Sequence, residues 1–82
     1  MSNNNDANLV RMTNQIATNL GSGRDEEAAA AAICRHLETF WARSMKQRLV
    51  ASLALESVEF SPLARRAATL LATRLSEQQV SR

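Results

Sequence analysis

The chain has 82 residues, 45% of them apolar but only 4% aromatic, and a formal net charge of +2. At this length only about 60% of the unfolded surface is buried on folding, and alanine at fourteen positions contributes little area to the core. A roomy cleft with its own catalytic shell is excluded, and a small helical module that completes its core against something else fits. The single cysteine, Cys34, excludes an internal disulfide. No apolar run approaches the roughly 20 residues that span a bilayer, and the Asn-rich start lacks the basic and apolar regions of a signal peptide. A reduced, cytoplasmic chain is therefore expected. Up to Phe40 there are three Arg against five acids, and beyond it seven Lys/Arg against three. That difference in sign implies surface asymmetry more than a nucleic-acid footprint.

Residues 1–6 read as a disordered tail, 7–77 as one helical domain and 78–82 as a frayed end. Asp6 is expected to cap a first helix, since a short carboxylate accepts from the free N–H groups of an opening turn. Leu9, Met12, Ile16 and Leu20 then recur at helical spacing and predict one buried stripe. Gly21-Ser22-Gly23 ends the helix, because glycine tolerates the left-handed backbone of a turn.

Asp25, Glu26 and Glu27 fall in the first turn of a second helix, where acids complement the positive end of its dipole. Ser22 or Gly23 is its expected cap. Ala28 to Ala32 favour helix and allow another helix to approach closely. Ala29, Ile33, Leu37, Phe40 and Trp41 are expected along one face. No strong breaker follows; a bend or short turn near residues 42–44 is expected, with one long helix from Asp25 as the alternative. A third helix to about Leu55 follows from Met45, Leu49 and Leu53, with Val50 beside them. Residues 56–60 read as a connection that tucks in Val58 and Phe60. Ser61-Pro62 is the clearest local signal: serine caps, and the fixed φ of proline suits a first helical turn. Leu63, Ala67, Leu70, Leu71 and Leu75 then predict a fourth helix that frays beyond Glu77. The fold class is all-α, a small bundle of three to four short helices.

Chemistry-bearing residues are sparse. Cys34 and His36 are too few for a zinc site, and two apart on a helix they face different ways. Gly21-Ser22-Gly23 lacks the strand, lysine and spacing of a phosphate loop. Arg43, Lys46 and Arg48 read first as a solvated face, second as a patch for acidic or phosphate groups. No aromatic platform interleaves with them, which disfavours nucleic acid. Phe40 and Trp41 differ by about 100° around a helix. At least one is thus expected in the core, and an outward aromatic makes a binding anchor. No catalytic, cofactor-binding or metal-binding residue is expected.

The segment Asn8-Leu9-Val10-Arg11-Met12-Thr13-Asn14-Gln15-Ile16 resembles the opening of the delta subunit of NAD-dependent, molybdenum-containing formate dehydrogenase. That family starts its ordered part with Leu-Val-Arg-Met-x-Asn-Gln-Ile. The likeness continues through Ile33, His36-Leu37, Phe40-Trp41, Met45 and Leu49, and returns at Ser61-Pro62-Leu63, covering roughly Asn8 to Ala68. In the family pattern Pro-Arg-Met follows the tryptophan closely, where this chain has Ala42-Arg43-Ser44-Met45. The resemblance implies a non-catalytic accessory subunit that binds the large molybdenum-containing subunit and supports assembly or stability. The cofactors it implies lie outside this chain: bis-molybdopterin guanine dinucleotide, iron–sulfur clusters, FMN and NAD. Arg11, Asn14, Gln15, Phe40, Trp41, Met45 and Lys46 are the expected partner-binding residues, with Arg11 meeting a carboxylate or phosphate. A free-standing helical adaptor for another protein or for RNA is the alternative.

Overall fold

Helical periodicity without strand alternation leads to an all-α chain, and the computed structural model, which describes residues 4–55 and 59–80, is one. Its helices are α1 (Asn4–Gly21), α2 (Glu26–Phe40), α3 (Arg43–Ser52) and α4 (Pro62–Val80). The helix α1 opens before Asp6, which therefore sits in the first turn and does not cap it. Its carboxylate instead meets Arg48 of α3 at 3.2 Å.

The buried face of α1 is rotated from the expected stripe. Leu9, Val10, Thr13 and Ala17 are buried, Ile16 and Leu20 are half-buried, and Met12 is 45% exposed. Thr13 fits an apolar surface because its hydroxyl donates to the Leu9 carbonyl at 2.8 Å, leaving no unmet polar atom. The two glycines that close α1 serve different needs. A Cβ on Gly21 would fall 2.5 Å from Leu63 Cδ2, so that glycine allows the end of α1 to reach α4. Gly23 has φ +80°, the left-handed region. Gly23→Ala should lower the stability of the free chain by about 1 kcal/mol in a urea titration, the strain of an L-residue there; no change would mean that the turn has another low-strain path.

Asp25, and neither Ser22 nor Gly23, caps α2. Its side chain accepts from the Ala28 N–H at 2.8 Å. The contact between α2 and α4 is the largest in the molecule. Ala29, Ala30, Ala64, Ala67 and Ala68 are all buried with Ile33, Leu37 and Leu71, so the alanines let the two helices approach closely.

One long helix from Asp25 is ruled out. Trp41 (φ −93°, ψ 143°) and Ala42 (φ −64°, ψ 154°) are both extended and turn the chain between α2 and α3. No side chain caps α3, which ends at Ser52 and not near Leu55. Packing supports this short helix: Leu49 and Ser52 are fully buried, and Met45, Val50 and Leu53 pack on the core. Leu55 is 43% exposed, Phe60 packs against the core, and Val58 lies outside the described residues. Ser61 caps α4 as expected: its Oγ accepts from the Ala64 N–H at 3.2 Å, with Pro62 opening the helix.

Candidate protein-interaction surface

Phe40 and Trp41 part company at the end of α2. Trp41 is 9% exposed and belongs to the core, whereas Phe40 is 71% exposed. Trp41 is therefore a core residue and not an outward anchor. The backbone turns at Trp41, whose N–H still donates to the Leu37 carbonyl at 3.0 Å. The Phe40 ring rests beside His36, with centroids 4.9 Å apart. Exposure of so large an apolar side chain in a core so poor in aromatics marks Phe40 as the stronger contact candidate of the pair.

The polar residues of the opening motif also divide. Asn14 is used inside the fold: its Nδ2 donates to the Glu59 carbonyl at 2.8 Å, and its Oδ1 accepts from the Ser61 N–H at 2.9 Å. It fixes the connection where it enters the Ser61 cap, which corrects the expectation that its amide serves a partner. Nothing local in the sequence signals this bond, since its ends are 47 residues apart. Asn14→Ala should cost about 1 kcal/mol, the net worth of such bonds at a half-exposed site. It should also raise amide exchange at Ser61; unchanged exchange would show that the connection is held by other contacts.

Arg11 and Gln15 remain exposed on the outer face of α1. Arg11 Nη2 donates to Asn8 Oδ1 at 3.2 Å, which steadies the guanidinium without neutralising it. With Met12 and Ile16 they line a shallow depression of about 450 Å³. Its floor is apolar, and its rim carries one cation and two amides. That composition suits a protein surface bearing a carboxylate.

Met45 and Lys46 are both half-buried. Lys46 Nζ donates to the Glu38 carbonyl at 3.4 Å, one of the carbonyls the last turn of α2 leaves free, where a cation also complements the dipole. Arg48 pairs with Asp6, and Arg43 is exposed and takes part in none of the ion pairs among the described residues. The group is thus divided among local roles and forms no concentrated patch.

Cys34 is buried. Burial pushes its thiol up to about 11, Glu38 adds to the rise and Arg74 opposes it. The thiol is thus neutral near pH 7, the reverse of an activated nucleophile. In the folded chain Cys34 should resist iodoacetamide at pH 8 and react once urea unfolds it. Rapid labelling of the native chain would mean that the α2–α4 contact opens readily. Among the described residues no cluster of three or more His, Cys, Asp or Glu side chains is placed to hold a metal, and no helix is long and apolar enough to cross a membrane.

The fold and its exposed groups define a small helical module that offers contact surfaces. The family model for the NADH-dependent formate dehydrogenase delta subunit, FdsD, matches residues 8–68, and the chain belongs to that family. No curated protein and no solved structure gives a significant match. Members of this family are accessory subunits of a formate dehydrogenase complex.

Proposed function

We propose that this chain is the non-catalytic delta subunit of a molybdenum-containing, NAD-dependent formate dehydrogenase, docking on the catalytic large subunit and supporting its assembly or stability in the cytoplasm. The observation that carries this reading is the family match over residues 8–68. The exposed part of its opening motif supports it: Arg11, Met12 and Gln15 share an outward face that the fold itself does not use. In this reading the partner subunits hold the bis-molybdopterin guanine dinucleotide, iron–sulfur clusters and FMN, and this chain holds none. Its contribution is surface: an apolar floor for area, Arg11 for a carboxylate, and amides that fix orientation.

Arg11→Ala/Gln15→Ala tests the reading, with Asn14 kept because the fold needs it. The free chain should stay as helical as before, since alanine favours helix. In cells making the whole enzyme, recovery of the chain with the large subunit, formate-dependent NAD reduction and molybdenum content should fall together. Normal recovery with normal activity would remove this face from the docking surface. Deleting the entire chain without effect on either quantity would overturn the accessory role.

A further inference from the structure

A second surface lies on the opposite use of the alanine run. Ala29 and Ala30 are buried, but Ala28 and Ala31 are exposed. They floor a groove of about 580 Å³ between α2 and α4, lined also by Leu70 and by Arg24, Arg35 and Arg74. Arg74 is neutralised there by Glu38. Among the described residues the ion pairs are Asp6–Arg48, Glu27–Arg66 and Glu38–Arg74, so Arg24 and Arg35 pair with no carboxylate. The groove therefore carries two uncompensated cations over an apolar floor.

We propose that this groove receives an acidic amphipathic helix of a partner subunit, an inference that rests on the reading of the chain as a docking subunit. Spacing and floor both argue for that occupant. Arg35 lies ten residues beyond the Asp25 cap, about 15 Å along α2 at the rise of a helix, and Arg24 stands in the bend just before that cap. Charges so placed match carboxylates distributed over about three turns better than one compact anion. Alanine methyls allow the backbone of an incoming helix to approach within the 8–10 Å of tight helix packing. They offer no stacking platform for a nucleic-acid base. The Glu38–Arg74 pair closes one end of the groove, where the incoming helix carries no acid. This surface is separate from the α1 face, whose depression shares no lining residue with it.

The test uses the full-length chain, labelled at its N-terminus and titrated by fluorescence anisotropy into formate dehydrogenase assembled without it. Arg24→Glu/Arg35→Glu should weaken binding at least tenfold at 50 mM salt and flatten its salt dependence. Ala31→Trp, which fills the floor from an exposed position, should weaken it comparably while circular dichroism remains unchanged. A photo-crosslinker in place of Ala28 should capture an acidic helical segment of a partner subunit, giving a readout that does not depend on either variant folding. If the wild-type chain does not bind, the docking reading fails and takes this inference with it. If it binds and all variants bind equally well, the groove assignment alone is overturned. Capture of a basic or neutral segment, of RNA or of a second copy of this chain also overturns it.

Discussion

Trp41→Ala should bring the free chain close to unfolding. Trp41 is the largest side chain in a core otherwise built from Ala, Leu, Ile, Val and Cys. Large-to-alanine changes of buried aromatics cost about 3–5 kcal/mol, because lost transfer energy and the remaining cavity add. A domain of this size has roughly 4–12 kcal/mol in all. The residue also occupies the extended turn between α2 and α3, so α3, which lacks a side-chain cap, should lose order first. Urea titration by circular dichroism should show a much lower midpoint, and any defect in complex formation should follow from that instability. A variant with wild-type stability and poor binding would restore Trp41 to the contact surface.

Phe40→Ala should show the opposite pattern. The ring is 71% exposed, so its removal leaves no cavity and gives up only the contact with His36. Stability should change by less than about 1 kcal/mol, in line with the modest worth of exposed aromatic contacts. Binding to formate dehydrogenase lacking this subunit should weaken by about 2 kcal/mol, roughly 30-fold, as for an aromatic that fills a partner's pocket. Isothermal titration with the wild-type chain as reference measures this. Undiminished affinity would leave α1 and the groove between α2 and α4 as the surfaces to consider. The two neighbours thus give a direct comparison, in which stability and binding should respond separately.

The formate dehydrogenase likeness was legible because its motif residues recur in order along most of the chain, and the family match covers residues 8–68. The exposed surface was only partly legible. Arg11 and Gln15 face outward on α1, but Asn14 and Trp41, given the same expectation, turn inward. A pattern of residue types records that a polar or aromatic group sits at a position, not which neighbour it meets. Arg24 and Arg35 gave no sequence signal at all, since a groove exists only once α4 lies beside α2.

The amino-acid sequence by itself determined the all-α class, the glycine turn after α1, the acidic start of α2 and the opening of α4. Each rests on interactions within a few residues: helical periodicity, a left-handed φ at Gly23, acids at a dipole and the Ser61-Pro62 cap. Tertiary structure alone decided between a break at Trp41-Ala42 and one long helix, the outward turn of Phe40 and Met12, and the use of Asn14 as a tie between α1 and the start of α4. No local breaker exists at the first of these. The chain turns there because α3 buries Leu49 and Ser52 and packs against α1 and α4. Those contacts join residues far apart in sequence, so their energy is absent from any short window of the chain.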